Sequence, residues 1–369
     1  MFVIKRFCFL LLSISCAIFL ELAPCAARGP REVYIYCWAD YVPQSVIKRF
    51  TEETGIKVLY DVFDSPEALE AKLISNSGYD VVFPSAWPSF SLGVKSSLFL
   101  KLDYSKIPNA KFLSKKIMDR LSKADPKNQY GVPFVWAMTG IGYNKDSVRA
   151  LVGTEKIDSW GAIFSPNVIK LLAAGRVSLL DSPSEVFQAA FLYLGINPYT
   201  KDPKDWEKAA LLIMKIRPYI SRFDSSQQVT NLLDSNTCLL HGWSTYVNMA
   251  KEIGREFSNI KFVIPKEGGT MWIDVLAIPK DSPHVLEAHE FINFILRPDN
   301  MAEISNTVRA ANPVEESYQF VSPEIFNDPA IFPTDEVVER LYQEQELDAK
   351  TQRMVTRMWM RIKMGYGCL

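Results

Sequence analysis

Short apolar runs alternate with amphipathic segments along most of the chain. Residues 33–36, 57–63 and 80–83 predict buried strands, and a helical pattern over 43–53 ends at Gly55. Ser65-Pro66 opens a second predicted helix, because serine is a good N-cap and proline is favoured in the first helical turn. The same pair recurs at 182–183, 282–283 and 322–323. Further strands are predicted at 130–135, 177–180, 237–240, 260–264 and 272–278. This alternation is typical of an α/β protein with mostly parallel sheets.

The N-terminal segment has the pattern of a signal peptide. Lys5 and Arg6 precede an uncharged run over 7–20, which suits the apolar core of such a peptide and is short for a membrane span. Small residues at 25–27 predict cleavage after Ala27, and hence an exported, periplasmic protein. Lipoprotein processing at Cys16 is the less favoured interpretation, because it would leave an apolar segment at the start of the mature chain.

Composition excludes several classes of protein. The chain has 41 Lys+Arg against 42 Asp+Glu, so it lacks the basic excess of nucleic-acid binders. Its 369 residues, 48% of them hydrophobic, can build two domains or two lobes. No linker rich in Gly and Ser divides the chain, which predicts lobes that interleave. Cys37 and Cys238 lie far apart in the predicted mature chain and are expected to be buried free thiols, although a bridge between them stays open.

Motifs of catalysis are missing from the sequence. Gly140-Ile141-Gly142 lacks the third glycine of a phosphate-binding loop, and Gly242-Trp243-Ser244-Thr245-Tyr246 lacks the closing glycine of a nucleophile elbow. The three histidines fit no zinc-binding helix, because His284 and His289 are five residues apart and do not share a face. The sequence therefore predicts a binding protein that is not an enzyme and has no metal or cofactor.

Acidic and aromatic residues recur together at the ends of predicted strands. In an open α/β sheet these ends converge on the ligand site. A carboxylate there can pair with an ammonium group, and an indole face can cover a cation or an alkyl chain. Each residue alone also fits a core, a helix first turn or a surface turn, and it is their recurrence that favours a site. The set comprises Trp38, Asp40, Tyr41, Glu185, Trp243, Trp272 and Asp274.

Eight ordered stretches between Val33 and Lys363 resemble one family, the periplasmic polyamine-binding proteins of ABC transporters. The resemblance implies two α/β lobes, each a mixed sheet flanked by helices, joined by a hinge that closes on ligand. It also implies a membrane permease and an ATPase as partners, and a monomer is expected. The stretches are Tyr36–Tyr41, Glu53–Val58, Asp80–Ser85, Thr139–Asn144, Ser184–Phe187, Pro265–Gly268, Ile273–Pro279 and Leu296–Asp299.

The resemblance assigns roles to individual residues of this chain. It implies that carboxylates bind the amines, that aromatic side chains flank them and that Ser85 makes a polar contact. Tyr246 departs from the family pattern, because putrescine-preferring members have an aspartate there, and Val308 replaces a tyrosine. We expect a slight preference for spermidine over putrescine from Trp272 and from the missing acid at Tyr246. The implied ligand contacts are Trp38, Asp40, Tyr41, Ser85, Glu185, Trp243, Tyr246, Trp272 and Asp274.

The resemblance also predicts how the chain divides. After a signal peptide over 1–27, residues 28–138 and 276–306 would form the first lobe, and residues 139–275 and 307–369 the second. The predicted function is capture of spermidine, putrescine or both in the periplasm and their delivery to an ABC importer. Two alternatives remain: the same fold binding another cationic or amino-acid-like solute, and a periplasmic sensor subunit. A secreted hydrolase is disfavoured by the missing nucleophile and metal motifs.

Overall fold

The protein is described by a computed structural model that covers residues 31–39, 41–63, 66–234, 237–256, 259–344 and 346–365. The predicted signal peptide, Asp40 and Cys368 lie outside these residues. The strands are β1 (Glu32–Trp38), β2 (Lys57–Phe63), β3 (Val81–Val82), β4 (Gly131–Asn144), β5 (Val177–Leu179), β6 (Ile220–Phe223), β7 (Leu239–Trp243), β8 (Ile260–Val263), β9 (Gly269–Ala277) and β10 (Leu341–Gln343).

Helices flank these strands. They are α1 (Gln44–Thr54), α2 (Pro66–Ile74), α3 (Ser91–Lys95), α4 (Lys115–Leu121), α5 (Lys145–Val152), α6 (Gly161–Phe164), α7 (Pro166–Leu172), α8 (Pro183–Leu194), α9 (Pro203–Ile216), α10 (Gln228–Leu233), α11 (Ser244–Ile253), α12 (Val285–Ile295), α13 (Pro298–Val308), α14 (Pro323–Phe326), α15 (Asp335–Glu339) and α16 (Ala349–Met364).

The strands form two parallel halves joined by antiparallel strands. Along the sheet the order is β2-β1-β3-β9-β4-β7-β5-β6, with β10 beside β9 and β8 beside β4. The pairs β1–β2, β1–β3, β5–β6 and β5–β7 are parallel, whereas β4 is antiparallel to β7, β8 and β9. The sheet is therefore mixed rather than mostly parallel. The long strands β4 and β9 cross from one half to the other.

Separate hydrophobic cores lie on the two halves. The first gathers β1, α1, α12 and α13 around Phe50, Phe291 and Phe294. The second gathers α8, α9 and α16 around Trp206, whose ring packs on Phe187 and Phe191. These cores belong to the two lobes. The exact lobe boundaries stay predictions.

Several predicted elements differ from those in the structure. β4 continues nine residues past the predicted end at 135, and its 14 residues are all buried. β6 and β10 were not predicted. The helix expected to open at 282–283 begins instead at Val285, because the Ser282 hydroxyl donates a hydrogen bond to Asp80 at 2.7 Å and does not cap a helix. Helices α8 and α14 do begin at the prolines of their Ser-Pro pairs.

Residues of the two weak motifs have structural roles. A Cβ atom at Gly140 would lie 2.5 Å from the Val263 carbonyl oxygen, and one at Gly142 would lie 2.6 Å from a methyl group of Val247. These glycines therefore let β8 and α11 pack closely on β4. Ser244 accepts a hydrogen bond from the backbone N–H of Met138 at 3.2 Å, so its hydroxyl holds the start of α11.

Three further features are the cysteines, the groups that could hold a metal ion and the helices that could span a membrane. Cys37 and Cys238 are both buried and both free, so the bridge between them is not formed. Across the described part of the chain, no group of three or more His, Cys, Asp or Glu side chains is arranged to hold a metal ion. None of the helices in those residues has the length and apolar character needed to span a bilayer.

Candidate functional site

Asp274 is a buried carboxylate held by hydroxyl groups. It lies on the crossing strand β9, 2% exposed, and bridges to Ser85, which follows β3. Ser85 donates a hydrogen bond to one carboxylate oxygen at 2.5 Å, and the Tyr41 hydroxyl donates to the other. Burial raises the pKa of Asp274 to about 6, although the two hydroxyl donors oppose this rise. Within the described residues, no Lys, Arg or His nitrogen lies within 4.0 Å of this carboxylate to compensate for its lost hydration.

Glu185 is a second buried carboxylate, placed in the first turn of α8. It accepts hydrogen bonds from the Thr139 hydroxyl and from the Trp243 indole N–H, the latter at 2.9 Å. Thr139 and Trp243 are direct partners across β4 and β7, so the register of that pair brings both donors to one acid. Burial raises the pKa of Glu185, and these two donors partly offset the rise.

Aromatic residues of β1, β7 and β9 are further members of the predicted site. Trp272 lies two residues before Asp274 on β9 and therefore shares its face of the strand. The indole N–H groups of Trp38 and Trp272 are buried and have no hydrogen-bond partner within the described residues. Trp243 contacts Tyr246, with 5.7 Å between ring centroids. Half-buried rings with free polar edges are suited to a ligand that has both alkyl and charged parts.

The structure brings most of the predicted site residues together. Tyr246 is 37% exposed, and burial together with the charge of Asp274 raises its pKa, which places it near that acid. Tyr246 also contacts Trp243, the hydrogen-bond partner of Glu185, and so links the surroundings of the two acids. We name this region the candidate cleft. Its described members are Trp38, Tyr41, Ser85, Glu185, Trp243, Tyr246, Trp272 and Asp274, and Asp40 falls outside the described residues.

A third carboxylate, which sequence reasoning missed, adjoins the cleft. Glu344 follows β10 and is half-buried; burial and the charge of Glu185 raise its pKa to about 7, while the Ser184 hydroxyl lowers it. It lines a cavity of about 250 Å³, here named the distal pocket, together with Trp87, Lys123, Tyr199 and Gln343. The three-residue strand β10 has no clear alternation of apolar positions, so the sequence offered no signal for Glu344.

Comparison with known proteins decides the family. The profile of the bacterial extracellular solute-binding proteins matches residues 45–334. The chain belongs to this family. It is 44% identical to the putrescine-binding periplasmic protein SpuD of Pseudomonas aeruginosa over 92% of this chain and 94% of that protein. It is 40% identical to the putrescine-binding periplasmic protein PotF of Escherichia coli over 92% and 93% of the two chains.

Solved structures of this solute-binding family share the fold. The spermidine/putrescine substrate-binding protein PotD of Streptococcus pneumoniae superposes with a TM-score of 0.82 at 26% identity, covering 91% of this chain and 99% of that one. The PotD lipoprotein of Treponema pallidum gives a TM-score of 0.79 at 30% identity over 90% and 99% of the chains. The predicted resemblance and the predicted two-lobed α/β fold are thus confirmed. The sequence alone had found the family through scattered short stretches.

Proposed function

We propose that this chain is a periplasmic solute-binding protein that captures a polyamine, spermidine or putrescine or both, and delivers it to an ABC importer. One observation carries the proposal: Asp274 and Glu185 are buried, and within the described residues neither has a Lys, Arg or His nitrogen within 4.0 Å. A buried carboxylate without a cation is costly. A ligand with spaced ammonium groups supplies the missing charges.

The residues of the candidate cleft have different roles in ligand binding, which follow from their chemistry. Asp274 and Glu185 pair with ammonium groups, and Asp40 is proposed as a further acid at the same cleft. Tyr41 and Ser85 fix the Asp274 carboxylate by hydrogen bonds and leave its remaining lone pairs to the ligand. The aromatic faces of Trp38, Trp243, Tyr246 and Trp272 cover the methylene chain and contribute cation–π attraction.

The relatives support the location and the partners. SpuD and PotF are named as putrescine-binding periplasmic proteins, and the PotD of S. pneumoniae as an ABC transporter substrate-binding protein. We infer that this chain is exported after loss of its signal peptide and works as a monomer without catalytic activity or cofactor. Its macromolecular partners would be the permease and ATPase subunits of the importer.

Calorimetry of the mature chain tests the ligand class. The panel comprises putrescine, cadaverine, spermidine, spermine, lysine, arginine and ornithine. We expect saturable binding of at least one polyamine and much weaker binding of the amino acids, because their carboxylate would face the acids of the cleft. Binding of a basic amino acid in preference to every polyamine would overturn the proposal.

Glu185→Gln is expected to weaken polyamine binding at least about tenfold, since it removes one charge partner from a partly dehydrated site. The amide oxygen can still accept from the Trp243 indole, and the amide NH2 can donate to the Thr139 hydroxyl, so the fold should persist. Glu207→Gln, an exposed change on α9, is the matched control and should bind as the wild type does. Calorimetry measures the affinities and circular dichroism the folding. Equal affinity of both variants would remove Glu185 from the site.

Lobe closure is the second expected property of the proposed function. Tyr41 and Ser85, which bind Asp274, belong to the predicted first lobe, whereas Glu185 on α8 belongs to the predicted second, so one ligand must touch both. Small-angle X-ray scattering should therefore give a smaller radius of gyration with saturating polyamine than without it. The Glu207→Gln variant should contract equally. An unchanged radius at saturation would indicate a preformed pocket.

A further inference from the structure

The helix α16 has a charge distribution that differs from that of the whole chain. Its 16 residues include Lys350, Arg353, Arg357, Arg361 and Lys363 but no Asp or Glu. The whole chain, by contrast, balances 41 Lys+Arg against 42 Asp+Glu. The helix dipole favours basic residues only near the C-terminal end, so it does not account for those in the first turns.

Four of these basic residues lie on one face of α16. At 3.6 residues per turn, Lys350, Arg353, Arg357 and Arg361 fall within an arc of about 80°, here named the basic face, and all four side chains are exposed. The opposite side of the helix packs on α8 and α9, which anchors α16 to the second core. The buried side chains on that side are Val355, Met358, Trp359 and Ile362.

Acidic residues of the protein do not neutralise the basic face. Within the described residues, no Asp or Glu oxygen lies within 4.0 Å of the side-chain nitrogens of Lys350, Arg353 or Arg357. Asp348, the nearest acid in sequence, accepts hydrogen bonds from backbone N–H groups of the first turn. Arg353, Arg357 and Arg361 follow one another at intervals of four residues, the spacing at which like charges on a helix repel. An anion placed against this face would relieve the repulsion.

Two exposed methionines adjoin the basic face. Met360 and Met364 are 49% and 54% exposed, and they widen its arc to about 100°. A methionine side chain is flexible and apolar, so it adapts to an irregular partner. The widened arc contains no Trp or Tyr, the side chains that commonly anchor a protein partner. Distributed positive charge with flexible apolar side chains is suited to an anionic lipid surface.

We propose that the basic face of α16 is a docking surface for the anionic phospholipid headgroups of a membrane. The arginines pair with headgroup phosphates through charge-assisted hydrogen bonds, while Met360 and Met364 enter the headgroup layer. The helix lies along the membrane and does not cross it. Docking holds the half of the molecule that carries Glu185 beside the membrane, because α8 packs on α16. The inference rests on the proposed function only for the export that brings the chain to a membrane.

Vesicle flotation of the mature chain tests the docking surface. With phosphatidylcholine vesicles containing about 30% phosphatidylglycerol, we expect binding that weakens as salt rises from about 50 mM to about 300 mM. Vesicles of phosphatidylcholine alone should not bind. Each basic residue near an anionic surface contributes about fivefold to partitioning, so Arg353→Gln/Arg357→Gln should bind about 25-fold more weakly. This change also relieves the repulsion between arginines, so the variant should stay folded, which circular dichroism checks.

A double variant with the same loss of charge is the matched control. Lys101→Gln/Lys115→Gln removes two exposed positive charges from the predicted first lobe and should bind anionic vesicles as the wild type does. Equal weakening in both double variants would overturn the assignment to α16, as would undiminished binding of a folded Arg353→Gln/Arg357→Gln variant. Wild-type binding to poly-L-glutamate but not to anionic vesicles would overturn the lipid surface in favour of an acidic protein partner.

Calorimetry with putrescine separates this proposal from the proposed function. The Arg353→Gln/Arg357→Gln variant should bind putrescine as the wild type does, because α16 contributes no residue to the candidate cleft. A wild type that binds putrescine but no anionic vesicle would overturn the docking surface and leave polyamine capture standing. A wild type that binds anionic vesicles through Arg353 and Arg357 but binds no polyamine would support the docking surface while the proposed function fails.

Discussion

Asp274→Asn is expected to weaken polyamine binding about 100-fold, the effect of removing one partner from a buried charge pair. The amide is nearly isosteric and can still bond to Tyr41 and Ser85, so the change isolates the charge. Because the empty site holds this carboxylate at 2% exposure without a cation, the variant should be at least as stable as the wild type. Calorimetry and thermal unfolding measure the two effects.

Asp119→Asn provides the matched control for this variant. Asp119 is exposed on α4, so its loss changes the net charge equally without touching the cleft. It should bind polyamine as the wild type does. If Asp274→Asn and Asp119→Asn bind alike, the ligand lies elsewhere and the site is wrongly placed.

His241→Phe is expected to reduce the sensitivity of the fold to acid. His241 lies on β7, 2% exposed, packs edge-on against Trp160 at 5.3 Å, and neither of its ring nitrogens has a partner within the described residues. Burial lowers its pKa from 6.5 to about 3. The unfolded chain therefore binds a proton that the folded chain refuses, and the wild type loses stability as pH falls from 6.5 towards 3.

Urea unfolding at pH 7 and pH 4 measures the size of this effect. The free energy of unfolding of the wild type should fall by about 3 kcal/mol more than that of His241→Phe over this range. The buried acids, including Asp274, act in the opposite direction, but they are common to both proteins and cancel in the difference. Parallel pH profiles of the two proteins would show that His241 does not titrate through unfolding.

The sequence predicted a strand or a helix best where the apolar run was regular or where a Ser-Pro pair marked the first turn. β2 matches its predicted run at 57–63, and α8 begins at Pro183 as the Ser-Pro pair indicated. The end of β4 was missed because residues 136–144 combine large apolar side chains with two glycines, whose fit depends on β8 and α11. Such close packing between distant segments leaves no local trace in the sequence.

The residues of the candidate site also divide into those that the local sequence indicated and those whose position depends on strand pairing. Trp243 was found because it ends a strand, where sheet topology makes ligand-binding segments converge, whereas Asp274 lies inside β9. Thr139 and Glu344 were missed because both depend on pairing: Thr139 reaches Glu185 only through the register of β4 with β7, and Glu344 through the short strand β10. The raised pKa of Glu344 follows first from burial and then from the charge of Glu185, which lies 159 positions earlier in the chain.

The crossing strand β9 also constrains the order in which the molecule can fold. It pairs with β3 and with β4, from Gly131 opposite Ala277 to Thr139 opposite Thr270. The sheet of neither lobe is complete until residue 277 of 369 has been synthesised. Contacts so distant in sequence slow folding, because a long loop must close before they form. A nascent chain of this topology therefore cannot complete either sheet for most of its synthesis, and an incompletely folded polypeptide is the form that can be threaded through a narrow channel.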